Sequence, residues 1–353
     1  MTSDVAVVAD VPSADWDALT VDPPGGHVLQ SAAWAEQCRG WGWRPRFVRF
    51  DDGRAALLLT HGKPLLPGFF AYCPRGPITG GDPPEHVAAR AVSLAAWSRA
   101  AGATILAVDP ELQADAAFEA DLAAGGFRIT EEIQPSRHRL VLELPGGTDE
   151  ASLLRAMSKS TRQRIGAAKA GTVSVREDAS GGRLADFGAL MDATARRKRF
   201  DFAADRGFIE WWRRALSAGR TRFLVAETSG QLLGGLIVHL QGGHWATAFS
   251  ADDAAFRFVH PGTMHLLRWT AIRMALAAGA PSIDLGGVDV AGARRRPEPG
   301  EATWGLYEHK AGFGARWIES AGAHEIVLRP AVYRTQGLLR TLRRRLRGLA
   351  ARS

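Results

Sequence analysis

Ala277-Ala278-Gly279-Ala280-Pro281-Ser282-Ile283-Asp284-Leu285-Gly286-Gly287 is the stretch on which the fold turns. It reads as the end of a helix begun near residue 263, a stop at Gly279, and a short buried strand from Ser282 to Leu285. Ala100-Ala101-Gly102-Ala103-Thr104-Ile105 repeats the sense: a helix over about 84–101, a stop at Gly102, and a buried strand from Thr104 to Val108. A short match in an Ala/Gly-rich chain also arises by chance. Duplication gains weight because each copy follows a strand–turn–strand unit. The reading is two copies of one α/β module, and a cleft between copies is a natural ligand site.

Ahead of the first copy, Phe47 to Phe50 and Ala55 to Thr60 read as strands joined by the turn Asp51-Asp52-Gly53, and Ser31 to Gln37 as a short helix. Ahead of the second, residues 222–250 form a meander of three strands turning at Ser229-Gly230 and Gly242-Gly243. Helices near 185–199 and 207–218 precede it. Pro145-Gly146-Gly147 breaks the pattern and marks the boundary between modules. After it, Thr148 caps a helix with Asp149 and Glu150 in its first turn, ending at Gly171.

A chain of 353 residues, 46% hydrophobic and 23% charged, suits two ordinary globular domains. Lys plus Arg number 44 against 37 for Asp plus Glu, a net +7 that favours an anionic partner and says nothing of fold. Cys38 and Cys73 make neither a disulfide framework nor a zinc site and fit a reduced cytosol. The N-terminus, with Asp4 and Asp10, lacks the pattern of a signal peptide. No apolar run reaches the roughly 18 residues of a membrane span. The expectation is a cytoplasmic protein. No metal is expected: H-E-x-x-H is absent, and His260 and His265, five apart, read as surface or core residues.

The chemistry concentrates after the second strand. Gly286-Gly287 puts bare backbone at a strand's carboxyl end, where open α/β sheets bind ligands. Tyr307-Glu308-His309-Lys310-Ala311-Gly312-Phe313-Gly314 then sets one ammonium beside backbone that a ligand can approach closely. Only five of the 44 basic residues are lysines, so Lys310 points to a compact charge. Taken alone, a surface lysine beside a turn is the plainer reading.

This region resembles that of the Fem family of peptidoglycan aminoacyltransferases, whose pattern there is close to D-x-G-G, F-K-x-G-F-G, a strand and P-x-x-Y. Here these are Asp284 to Gly287, His309 to Gly314, Glu325 to Leu328, and Pro330 with Tyr333. Three other segments match in family order. Gln30-Ser31-Ala32-Ala33-Trp34 with Gly42-Trp43 is similar to Q-S-x-x-W…G-W. Tyr72-Cys73-Pro74-Arg75-Gly76-Pro77-Ile78 resembles Y-x-P-R-G-P-V and is followed by Val108-Asp109-Pro110. Lys159-Ser160-Thr161-Arg162 through Ala168-Lys169-Ala170-Gly171 is similar to K-x-T-R-x-x-I-x-x-A-x-x-x-G. There are departures. His309 replaces the usual Phe, and Cys38, with Arg39 beside it, stands where some members carry a substrate-binding Lys. Heptads for the coiled coil of longer members are missing between 150 and 220.

The resemblance implies an α+β mixed-sheet fold of two tandem acetyltransferase-like (GNAT-type) modules. The first spans 1–147 plus a returning strand in 318–353, the second 148–317. It also implies transfer of Gly, Ala or Ser from aminoacyl-tRNA, as co-substrate and without another cofactor, to a UDP-linked or lipid-linked muropeptide. With no nucleophile–base pair evident, direct attack of the acceptor amine on the ester is expected. Lys310 is the candidate charge at the ester, and Asp109 orients or deprotonates the amine. Asp109-Pro110-Glu111 reads equally well as a helix start. Substrate contacts are expected from Arg39, Tyr72, Arg75, Gly76, Arg206, Gly286, Gly287, Phe313 and Gly314.

Arg155, Lys159, Arg162 and Lys169 fall at helical spacing on one face, and Arg196-Arg197-Lys198-Arg199 ends the next helix. Either is a tRNA-binding surface or a solvated face. The tail 334–353 carries seven arginines and a leucine stripe, a basic amphipathic helix suited to peripheral contact at the inner membrane face, to tRNA, or to the protein body. Two alternatives share the fold: an acyl-CoA N-acyltransferase, and tRNA-dependent transfer to a non-peptidoglycan peptide. The R/Q-x-x-G-x-G/A loop of the first is absent from Ser250–Thr263 and from Gly76–Pro84.

Overall fold

A glycine at each turn sets the meanders: Gly53, Gly230 and Gly243 all take the left-handed conformation, with φ of 81°, 81° and 77°. A computed structural model describes residues 5–62, 67–134, 136–198, 206–290 and 292–335; of Val5, Ala6 and Arg206 only the backbone is described. The chain divides into one unit of residues 1–133 with 321–353 and another of 134–320.

The first unit holds β1 (Val5–Ala9), β2 (Arg44–Phe50), β3 (Ala55–Gly62), β4 (Phe69–Cys73), β5 (Ala103–Val108), β6 (Arg128–Ile129) and the late strand β14 (His324–Val327). Its sheet runs β1-β2-β3-β4-β5-β14-β6. Only β4 and β5 pair in parallel, joined by α3 (Pro84–Ala100); the other pairs are antiparallel. β3 is apolar from Ala55 to Leu59 because both faces are covered there. Ala56 and Leu58 pack with Val87, Ala91 and Leu94 of α3. Leu57 and Leu59 pack with Trp16 of α1 (Trp16–Thr20) and Ala35 and Cys38 of α2 (Ala32–Gly40). α4 (Ala116–Ala124) adds Phe118 and Leu122. Arg90, buried in α3, is answered on its own loop side: Asp52 at 2.7 Å, Asp82, and the Ile78 carbonyl at 3.3 Å.

In the second unit β7 (Arg139–Glu143), β8 (Ser174–Glu177), β9 (Thr221–Thr228), β10 (Gln231–Gln241), β11 (His244–Asp252), β12 (Ser282–Asp284) and β13 (Arg316–Ile318) form a sheet ordered β13-β7-β12-β11-β10-β9-β8. Again one pair is parallel, β11 with β12, bridged by α9 (Thr263–Ala277). α9 presses Leu267, Ala271, Ile272 and Ala275 onto the sheet. α7 (Leu184–Lys198) and α8 (Arg206–Ser217) contribute an aromatic layer in which Phe187, Trp212 and Phe249 meet. The sheets share one order if β14 of the first stands for β7 of the second.

The structure differs from the sequence reading in places. The helix expected from Thr148 to Gly171 is two, α5 (Glu150–Ala156) and α6 (Lys159–Ala170), because Met157 is extended (ψ 151°) and Ser158 caps a new helix through the Thr161 N–H. Asp149 caps α5, in a reciprocal pair with Ser152. The division of the chain falls at Ile133/Gln134 and Ser320/Ala321, not at 147/148 and 317/318, since β7 and β13 both pair in the second sheet. β1, β4, β6, β7, β8, β13, α1, α4 and a helix over Trp304–Ala311 are additions to that reading.

Candidate active site

At the carboxyl end of β5 lies Asp109, wholly buried. The Tyr72 hydroxyl donates to one carboxylate oxygen at 2.8 Å and the Arg75 backbone N–H to the other at 2.5 Å. Asp109 caps no helix: α4 starts at Ala116 with Asp115 as its cap, which removes the helix-start alternative. Burial lifts the Asp109 carboxyl to about 7, against the opposing pull of the Arg75 charge and of these two hydrogen bonds. It is therefore balanced between acid and carboxylate near neutral pH.

The loop after β4 holds that geometry. Arg75 takes a left-handed φ of 49°. The Gln30 side chain clamps the loop to β3, accepting from Leu57 N–H at 2.6 Å and donating to the Pro74 carbonyl at 2.5 Å. Gly76 is buried rather than open to a ligand: a Cβ there would lie 2.7 Å from the Cys73 sulfur and 2.9 Å from Gln30 Nε2. The Arg75 guanidinium sits 3.6 Å from Glu111; burial works against its charge, but Glu111 and Asp109 hold its pKa above the ordinary value. Glu111 also lies 3.9 Å from His27 Nε2. Glu111 was missed as a site residue, although two acids flanking Pro110, with Arg75 in a shared motif, carried the signal.

In the second unit α10 (Trp304–Ala311) brings Lys310 in from its last turn. Lys310 is buried, and its Nζ donates to the Gly287 carbonyl at 3.0 Å. Burial first, then the charge of Arg268, lowers its pKa to about 7, with Asp284 pulling back. Gly286 has φ 85°, and a Cβ on it would fall 2.9 Å from Lys310 Nζ. A Cβ on Gly287 would collide with Ser136 and the His138 carbonyl. Both glycines are thus required by close packing, and Asp284 fixes the turn by accepting from Gly286 N–H at 2.7 Å. His309, at the family's Phe position, sets Nδ1 3.0 Å from Nε2 of His265. Burial keeps this pair neutral, lowering His265 to about 4 and His309 further. Phe313 belongs to the hydrophobic core, packed against both rings, and so is no surface contact for a substrate; Gly314 (φ 88°) is exposed.

Other expected residues are spread apart. Arg39 is exposed and held by Glu36 at 2.8 Å and the Asp10 carbonyl at 2.5 Å. Arg155 lies on α5 while Lys159, Arg162 and Lys169 lie on α6, so the four do not share one helix face. Arg162 donates to the Leu154 and Met157 carbonyls, which caps the end of α5. Arg197 reaches Asp252 at 3.5 Å. Arg199, the Arg206 side chain and the tail from 336 lie outside the described residues. Among the described residues no cluster of three or more His, Cys, Asp or Glu could hold a metal, and no helix is long and apolar enough to cross a membrane.

The FemAB family model matches residues 11–126, around Asp109, and an acetyltransferase (GNAT) domain model matches 155–327, around Lys310. The chain is thus similar to the Fem family over its first part and to a GNAT domain over its second. The lipid II:glycine glycyltransferase of Staphylococcus aureus is 28% identical over 205 residues, 54% of this chain and 48% of that one. The chain thus spans about half the length of the curated relatives it matches. In fold it is similar to the crystal structure of FemX, with TM-score 0.77 and 19% identity over 93% of this chain and 99% of that one. It is similar also to the L-PGS of Bacillus licheniformis, with TM-score 0.51 and 10% identity over 84% and 88%. These likenesses are of fold, two mixed α/β units in tandem, and the acetyltransferase (GNAT) model falls on the second.

Proposed function

We propose that this chain transfers glycine, alanine or serine from aminoacyl-tRNA to the stem peptide of a peptidoglycan precursor. One observation carries the proposal: a buried acid, Asp109, poised near neutrality at a strand's carboxyl end within the region matched by the FemAB model. The acceptor amine attacks the carbonyl carbon of the aminoacyl ester; a C–N bond forms and the bond to the ribose oxygen breaks. The amine loses a proton and the ribose hydroxyl gains one. Asp109 as carboxylate takes the proton, a role worth roughly 10²–10⁴-fold in rate. Tyr72 and the Arg75 N–H keep its oxygens in place. Lys310, when charged, stabilises the oxyanion or the terminus of the donor. The glycyltransferase relative favours a lipid-linked acceptor and glycine as the transferred residue. Lys159 and Lys169, both exposed on α6, suit contacts to tRNA phosphates.

The test is transfer of radiolabelled amino acid from a charged total-tRNA pool to UDP-linked and lipid-linked precursor, offered separately. The proposal expects label in one precursor, abolished by RNase. Label supplied by acetyl-CoA and insensitive to RNase would contradict it.

A further inference from the structure

The turn between β11 and α9 carries the most exposed large apolar side chain among the described residues, Phe258 at 95%, followed by Val259 at 68%. Ala255 and Pro261 are exposed as well, and Arg257 is the one charged residue between them. Single apolar side chains in water are ordinary; a contiguous group held out by a firmly tied turn is not. This turn is tied at several points. Asp253 accepts from Ala255 N–H at 2.9 Å, Arg257 grips Asp252 through two bonds of 2.5 and 2.6 Å, and His260 N–H donates to the Phe256 carbonyl at 2.8 Å. Phe256 packs on the core of the second unit and stacks on the His260 ring. One phenylalanine is thus turned inward and the next is held in solvent.

Cations form the shoulder of this tip. Arg197, at the end of α7, and Arg257 both reach Asp252, at 3.5 and 2.5 Å, which sets the last turn of α7 beside the loop. Arg196, next to Arg197, is exposed. Arg164 of α6 is exposed too, and a Cβ on Gly262 would collide with its carbonyl, so α6 also abuts the turn. Lys198 feels the crowding: desolvation by its neighbours first, then the charge of Arg257, lower its pKa. Two acids lie among these cations and neither is free, since Asp252 is held by two arginines and Asp253 caps the turn.

We infer that this tip is a membrane contact, in which Phe258 and Val259 enter the headgroup–acyl boundary of an anionic leaflet and the cations around them meet its phosphates. An apolar tip on a basic shoulder combines the two attractions that hold a protein at such a surface, burial of apolar area and charge. RNA would use the cations and stack a base on Phe258, but it would leave Val259, Ala255 and Pro261 in water; a leaflet takes up all four. A second copy of the chain, docked tip to tip about a two-fold axis, would bring like charges together. The contact stands on this surface alone and goes beyond the proposed function; that it brings the chain to a lipid-linked acceptor rests on that proposal.

Phe258→Cys in the full chain, labelled with an environment-sensitive fluorophore, reads the contact directly, because the native Cys38 and Cys73 are buried from the reagent. Phosphatidylglycerol vesicles should shift its emission to the blue and raise it roughly twofold or more, phosphatidylcholine vesicles should do much less, and high salt should reverse the change. In sedimentation with phosphatidylglycerol vesicles, the double variant Phe258→Ser, Val259→Ser should partition at least about fivefold more weakly than wild type. Its melting temperature should be unchanged, since both side chains are exposed. No spectral change with phosphatidylglycerol would overturn the inference, and so would wild-type sedimentation of the double variant, which would hand the binding to another segment such as the basic tail. A response to total tRNA but not to vesicles would also overturn it and assign the tip to RNA; a response to protein concentration without lipid would assign it to a second copy. Insertion without transfer to either precursor supports the contact and sinks the proposed function; transfer without insertion does the reverse.

Discussion

Arg90 in α3 and Arg268 in α9 each sit in the second turn of the helix that links the two parallel strands of their unit, and both are almost wholly buried. Arg90 meets Asp52, Asp82 and a backbone carbonyl; Arg268 leaves two nitrogens unanswered. The strand ends diverge as well. Asp109 and Gly286 each stand seven residues after their stop glycines, Gly102 and Gly279. In the first unit that position carries a buried acid; in the second it carries no side chain, and an ammonium occupies the space. One sheet order thus supports two chemistries. The first unit answers its buried helix arginine with carboxylates and keeps a proton acceptor at the strand end, and the second leaves Arg268 without an acceptor on two nitrogens and brings an ammonium to the strand end.

That contrast can be broken most severely at the two strand ends. Asp109→Asn should lower transfer by roughly 10²–10⁴-fold, and Lys310→Met by roughly 10²–10³-fold, in single-turnover assays with both substrates saturating. Activity within tenfold of wild type in either variant would remove that residue from the chemistry. The arginine pair comes next. Arg90→Met strands two carboxylates and should cost about 3–5 kcal/mol in urea unfolding, whereas Arg268→Met should be neutral or stabilising. Equal losses would erase the distinction between an answered and an unanswered arginine.

A smaller effect separates Asp109 by pH. Its folded pKa is raised from 3.8 to about 7, so the folded state binds the proton more tightly than the unfolded state does. Its stabilising contribution is complete below pH 3.8 and fades as pH rises through about 7. Asp109→Asn should therefore gain on wild type between pH 4 and 8 by on the order of 4 kcal/mol. A pH-independent difference in unfolding free energy would contradict the raised pKa.

Much of this was legible in the chain because glycine and short motifs act locally. Gly102 and Gly279, with φ of 96° and 69°, mark both helix ends, and the Tyr72–Pro77 and Asp109 motifs pointed to the residues that meet in the first unit. Long-range pairing was less accessible. Which unit receives β7 or β13 depends on edges that form only on folding, and the Gln30 clamp depends on Leu57 and Pro74 arriving together. The single helix expected over 149–170 failed because apolar spacing runs on through Met157 while Ser158 restarts the capping. Arg268 was readable in hindsight of its neighbours: it interrupts the stripe of Met264, Ile272 and Ala275, where a charge is unexpected on a buried face.

The most direct test of this division is the pH dependence of transfer at saturating substrates, measured for wild type, Asp109→Asn and Lys310→Arg. A base at about 7 and a cation at about 7 predict a narrow bell with its maximum near neutrality. Asp109→Asn should lose the inflection on the acid side, and Lys310→Arg, whose charge persists, the fall on the alkaline side. An acid limb unchanged in Asp109→Asn would contradict the assignment of the proton acceptor to the first unit.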